Sequence, residues 1–259
     1  MSSRPALDEL VTILTGEHPP RVWSLLVTVF GDLAQEEGSA ISGAVLRAVA
    51  SVIGFKPEAV RVALHRLRKE GWIESSRKGR QSDYYLTDWG REQSAEASPL
   101  IYSRDEPGAE AWLILSEAGN NAKCGMPVGS GQRIAPQPSP NDDELSVLLD
   151  SDVSMPQWIR QKLCTADILA LGTETADRFT RLGDQLDRPC ELPALDRAVL
   201  RVLIVHAWRR VVLRTPQLPD YIMPEGWRGA ECRLRAVALL DALPRPTLEE
   251  LERLATEVA

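Results

Sequence analysis

"VRVALHRLRKEGW", from Val60 to Trp72, decides how this chain is read. Val60, Ala63, Leu64 and Leu67 recur at the i, i+3, i+4, i+7 spacing of one helical stripe. Pro57 fits the first turn, where a missing N–H costs nothing, and Gly71 fits the position just past the end. The spacing predicts a bounded helix with one apolar face. Arg61, His65, Arg66, Arg68 and Lys69 are left on the rest of its surface. Such a face is either a solvated exterior or a surface for an anionic partner.

The flanking segments favour the partner. Residues 6–15 and 21–34 ("RVWSLLVTVFGDLA") read as helices, the second strongly apolar. Ser42 can cap a third helix in "SGAVLRAVASVIG", with Val45, Leu46, Val49 and Ile53 on its inner stripe and Gly54–Phe55 as the following turn. After the basic helix, "GWIESSRKGRQSDYYLT" switches to strand alternation: Trp72–Ser75, a tip at Arg77–Arg80, and a return through Tyr84 and Leu86. Thr87 opens a further helix that ends near Pro99. Helix, turn, helix, basic hairpin is the order of a winged helix-turn-helix, whose second helix can enter the DNA major groove. Lys56, Glu58, Val62 and His65 then lie toward the outer part of the helix, where base edges are read; His65 serves equally well as plain surface. Arg61 and Arg66 either meet DNA or pair within the domain, and Lys69 is placed with them for DNA. Arg77, Lys78 and Arg80 on the wing are placed for phosphates, which give affinity and register but little sequence information.

The net charge of −7 over 259 residues argues against nucleic acid only if the distribution is ignored. Lys56 to Arg91 holds nine bases and five acids, a local +4 that leaves −11 for the rest. A basic module on an acidic body is the implication. No apolar run approaches the roughly 18 residues of a membrane span. "MSSRPALDEL" lacks the basic-then-apolar order of a signal peptide, so a cytoplasmic location is expected. Cys124, Cys164, Cys190 and Cys232 form no CxxC pair and read as reduced thiols. His18, His65 and His206 offer no metal-binding cluster, and no metal or cofactor is expected. A nucleophile elbow, a phosphate-binding glycine loop and a metal-binding histidine pair are all missing, so no catalytic residue is assigned. A protein-docking scaffold is the other alternative to DNA binding, and salt dependence separates the two.

Beyond Pro99, "EAWLILSE" and "SGQRIAP" read as strands, and the Gly- and Asn-rich "AGNNAKCGMPVGSG" between them as loop. "APQPSPNDDE" is a turn or link, and Ser154 and Pro156 precede a helix carrying Trp158, Ile159 and Leu163. Helices are then expected at about 173–186, 195–212, 228–242 and 247–257. This predicts a helix-rich α+β chain in three parts: a winged helix-turn-helix at 1–98, a small α+β domain at 99–168 and a helical domain at 169–259.

Two motifs carry a resemblance. In the first, Arg61, Ala63, Leu64, Arg66, Leu67, Gly71, Trp72, Gly79, Arg80, Tyr85, Leu86 and Thr87 fall on "R-x-A-L-x-R-L… G-W-L… R-x-G-R… Y-x-L-T". The second lies in "HAWRRVVLRTPQLPDYIMPEGWRGAE", where Trp208, Arg209, Pro216, Leu218, Pro219, Pro224, Trp227 and Gly229 agree with the pattern. In both the chain resembles the PaaX-like family, bacterial repressors of phenylacetic-acid degradation, from about Arg21 to Leu243. Thr215 stands where that family usually has Asp, and Arg228 where it often has Pro. The resemblance implies a ferredoxin-like central domain, shortened here because only "NNAKCGMPVGSG" stands where its first helix would be. It also implies a homodimer on a double-stranded DNA operator, released by an aryl- or acyl-CoA effector of the phenylacetyl-CoA type.

For that effector the sequence offers His206, Trp208, Arg209 and Arg210 beside the second motif. Arginine forks suit phosphates and carboxylates. The helix "LDRAVLRVLIVHAWRRVVL" is apolar nearly all round, so His206 and Trp208 also read as core, and either arginine also reads as the partner of an acid such as Glu225.

Overall fold

The computed structural model describes residues 6–16, 19–79, 81–105, 108–117, 125–186 and 192–257. They form two compact units interleaved along the chain. One holds residues 1–102, 178–209 and 235–259; the other holds residues 103–177 and 210–234.

In the first unit, α1 (Leu7–Thr15) and α2 (Val22–Leu33) precede a two-residue strand, β1 (Ile41–Ser42). Then come α3 (Gly43–Val52), α4 (Pro57–Lys69), β2 (Ile73–Lys78), β3 (Gln81–Leu86) and α5 (Asp88–Tyr102). The Ser42 side chain accepts the Val45 N–H at 3.2 Å, capping α3 as the sequence predicts. Its end is closed at Gly54 (φ +89°), with the Phe55 N–H reaching back to the Ala50 carbonyl. β1, β3 and β2 form one antiparallel sheet in that order. β1 pairs Ile41 with Tyr84, an element the sequence reading treats only as a cap because two residues show no alternation. Phe30, Leu25, Leu46, Leu67, Ile73 and Leu86 fill the interior, where α2 packs on α4 and α3 packs on α4.

α5 runs through Pro99 to Tyr102, three residues past its expected end. Side chains beyond the proline anchor that last turn: the Trp208 indole N–H donates to the Ile101 carbonyl at 3.0 Å, and the Tyr102 hydroxyl donates to Asp32 at 2.6 Å. Burial and the Asp32 carboxylate push the Tyr102 hydroxyl far above its usual range, so it remains a donor.

The second unit centres on an antiparallel sheet of β4 (Ala111–Leu115), β5 (Met126–Gly129), β6 (Gln132–Ala135) and β7 (Leu145–Leu149), ordered β5-β6-β4-β7. β4 and β6 are the two strands expected. β5 falls in the stretch that reads as loop, and β7 has no counterpart in the sequence reading. Residues 136–144 join β6 to β7 without a helix, in keeping with the turn expected there. Arg133 and Glu144 make a buried bidentate pair at its end, and hydrogen bonds from Arg133 and Ser139 hold the Glu144 carboxyl below the usual carboxylate range. α6 (Gln157–Leu163) carries Trp158, Ile159 and Leu163 as predicted. Ala111, Val128, Ile134, Leu163, Ile168, Leu218 and Ile222 form the core.

α7 (Ala166–Leu186), α8 (Ala194–Val212) and α9 (Gly229–Ala242) each contribute to both units, and α10 (Leu248–Glu257) belongs to the first. The sequence division at 98 and 168 thus differs from the contact pattern, because α8 and α10 return to pack with the N-terminal elements. α7 starts seven residues before its expected first turn. Gly172, a breaker by its residue type, is a helical position against the Trp227 ring, where a Cβ would meet that ring at 3.0 Å. Cys164 and Cys232 are buried and joined in no disulfide, and Cys124 and Cys190 lie outside the described residues, as does His18. Among the described residues, no helix is long and apolar enough to cross a membrane.

Candidate nucleic-acid interface

α4 is built as its sequence predicts. Pro57 occupies the first turn beside Glu58, and Arg66, Arg68 and Lys69 occupy the last, each charge matched to the helix dipole. Gly71, at φ +77°, closes the end: its N–H reaches the Arg68 carbonyl at 3.2 Å, and the Trp72 N–H reaches Leu67 at 2.9 Å. Val60, Ala63, Leu64 and Leu67 are buried. Lys56, Glu58, Arg61, Val62, His65, Arg66, Arg68 and Lys69 are all exposed. Val62 is 65% exposed, an aliphatic residue left on an otherwise polar face.

The bases on this face fall into two groups. Arg66 pairs through Nε with Glu70 at 2.7 Å, and its guanidinium lies 5.1 Å from the centre of the Trp23 ring. It thus makes contacts within its own domain while its side chain stays largely exposed. Lys56, Arg61, Arg68 and Lys69 make no ion pair with any described residue. Arg68 is not among the sequence-predicted site residues, although its outward position follows from the same stripe. With His65 and Lys69 it lines an open cleft of about 610 Å³ against Ile73, Glu74 and Ser75 of β2. Arg47 on α3 is a further exposed base that the local pattern does not single out.

The hairpin after α4 pairs Ile73 with Leu86 and Lys78 with Gln81, leaving a two-residue tip. Gly79 adopts φ +63°, the positive φ that two-residue hairpin turns require. Exposed Arg77 donates from Nε to the Gly79 carbonyl at 3.1 Å, which steadies the tip. The side chain of Lys78 and all of Arg80 lie outside the described residues. At the hairpin root the Thr87 hydroxyl donates to the Gly71 carbonyl at 2.5 Å and accepts the Gly90 N–H at 3.0 Å. One side chain thus ties the end of α4 to the start of α5. Trp72 packs edge-on between Trp23 and Trp89, with centroids at 6.4 and 4.9 Å.

The four residues offered for an effector do not share a ligand-accessible face. His206 is buried, its Nδ1 3.1 Å from the Thr28 hydroxyl. Trp208 is buried with its indole N–H on Ile101. Both are core, because α8 is enclosed by its neighbours at these positions. Arg209 is half-buried, and desolvation lowers its pKa from the usual arginine value. Arg210 is exposed. In the second motif Thr215 hydrogen-bonds back to the Val211 carbonyl at 3.1 Å, and Arg228 pairs with Asp177 and Glu231.

Fold and surface define a class first: a helix-rich α+β protein that presents a cationic helix followed by a short hairpin. The family model described as PaaX-like protein matches residues 21–90, and that of the PaaX-like protein C-terminal domain matches 173–247. Together they take in more than half of the chain, which belongs to the PaaX-like family. A curated relative, "Transcriptional repressor PaaX" of Escherichia coli (strain K12), is 29% identical over 88% of this chain and 82% of its own length. Among solved structures, an uncharacterized protein from Mycobacterium tuberculosis is 20% identical at TM-score 0.46, over 90% of this chain and 97% of that one.

Proposed function

We propose that the chain is a transcriptional repressor that reads operator DNA with α4 and acts on genes of phenylacetate-type catabolism. The observation that carries this is the outer face of α4, where Arg61, Arg68 and Lys69 stand exposed over a buried apolar stripe. In this reading α3, α4 and the β2–β3 hairpin are a winged helix-turn-helix, with β1 completing its small sheet. A helix of this width fits the major groove, and the wing bases reach the adjacent backbone. The sheet order β5-β6-β4-β7, antiparallel throughout, suits a ferredoxin-like domain reduced to its sheet, at least where 136–144 replaces the second crossover helix. The protein works by binding, as a homodimer on a pseudopalindromic site, since operator symmetry mirrors protein symmetry. By family resemblance an aryl- or acyl-CoA releases it, and linkage then requires DNA to weaken that ligand by the same factor.

Fluorescence anisotropy across a salt series tests the DNA reading. The parent protein should lose affinity steeply with salt, and Arg61→Ala should lower the slope by about one unit for one lost phosphate contact. Binding insensitive to salt would identify α4 as a protein-docking surface instead.

A further inference from the structure

The second unit contains a cavity of about 590 Å³, within the size range of small-molecule sites. Met155, Cys164, Leu169 and Pro224 supply apolar wall, and Arg160 supplies charge. Arg160 is fixed in place: Nε donates to the Met155 carbonyl at 3.2 Å, and Nη1 donates to Tyr221 at 2.9 Å and to Met223. All three acceptors are backbone carbonyls. Arg160 takes no carboxylate among the described residues, and the N–H bonds of Nη2 have no protein acceptor among them. A part-buried guanidinium held rigid, ion-paired to no carboxylate among the described residues and set beside an apolar wall, is prepared for an anion with an apolar body.

The remaining lining narrows the class. Burial pushes the Cys164 thiol up to about 11, so it stays neutral and adds no negative charge to the wall. Glu225 is an exposed lining residue, and its carboxylate disfavours each further negative charge on an entering molecule. With one arginine and one glutamate in the lining, the charge balance suits a single anionic group better than a polyanion. We propose that this cavity binds a small apolar monocarboxylate, aromatic or branched aliphatic, with its carboxylate on Arg160. A thioester carries no such carboxylate, so the site is distinct from any coenzyme A ester response. Binding stands on this geometry alone; its use as a signal rests on the repressor reading above.

The test is calorimetry on the full chain with phenylacetate and isovalerate, the neutral isostere phenylacetamide, inorganic phosphate and phenylacetyl-CoA. Saturable binding of a monocarboxylate is expected, with phenylacetamide weaker by about tenfold or more for the lost charged hydrogen bond, and phosphate absent. Arg160→Gln releases three carbonyls and can unfold the unit, so Gln161→Trp, an exposed lining position, is the decisive variant. It should block the cavity and abolish binding while the thermal melt and DNA affinity stay at parent values. Equal binding of acid and amide, binding of the thioester in place of the acid, unchanged binding by Gln161→Trp, or flat titrations with both acids would each overturn the proposal. DNA affinity measured on the same samples separates this failure from failure of the repressor reading.

Discussion

Arg61 and Arg66 stand five positions apart on one exposed face, and their surroundings assign them different work. Arg61 has no ion-pair partner among the described residues, whereas Arg66 is shared between Glu70 and the Trp23 ring. A cation–π contact at an exposed site is worth about 0.5–1 kcal/mol, and an exposed i,i+4 pair roughly 0.3–0.5 kcal/mol. Arg66→Ala should therefore cost about 1 kcal/mol of stability and change the salt slope of DNA binding less than Arg61→Ala does. Urea unfolding and salt titration of the two variants, side by side, measure the split. Equal slope losses at unchanged stability would make Arg66 a phosphate contact after all. Sequence alone does not divide these residues, because Trp23 lies more than forty positions from Arg66 and nothing local couples them.

At the level of elements, the join between hairpin and α5 is the tightest point near the interface. A Cβ at Gly90 would lie 2.2 Å from the Trp72 carbonyl oxygen, which is backbone and has little freedom to retreat. Gly90→Ala should cost about 1–3 kcal/mol as overpacking. Gly183 offers the control: it is helical in α7, and a Cβ there would have open space for 4 Å around it, so Gly183→Ala should gain up to about 1 kcal/mol. Denaturant midpoints at unchanged m-value decide both. Neither result is legible in the sequence, where both glycines sit in helical runs. What the sequence does show is governed by local period. α4 and the hairpin follow it and are placed within a residue or two. β5 breaks it, since "MPVG" is an edge strand interrupted by proline and glycine. β7, "LSVLL", is equally hidden, being an apolar run with large residues exposed on both faces and hence no alternation.

For the whole chain, the question is whether the N-terminal 98 residues fold by themselves, as the sequence division implies. Their polar interior is completed from elsewhere. Asp32 on α2 is fully buried and accepts Arg201 Nε of α8 at 2.9 Å, with Arg245 at 3.6 Å and the Tyr102 hydroxyl beside it. The Ser42 N–H donates to Glu252 of α10 at 3.0 Å, and Thr28 meets His206 of α8. The bonds to α8 and α10 cross between 169 and 210 positions of sequence, so no periodicity reveals them. Removing one partner of a buried pair typically costs about 3–5 kcal/mol, because the other charge is left without compensation. Asp32→Ala in the full chain should fall in that range. A fragment of residues 1–98 loses every C-terminal partner and exposes the face of α2 that α8 covers. It should lack the cooperative thermal transition of the full chain, followed by circular dichroism, and its central amides should exchange rapidly with solvent. A fragment that melts cooperatively near the full-length midpoint would show that the first domain is self-sufficient. The α8 and α10 contacts would then be docking added to a finished fold, not the completion of its core.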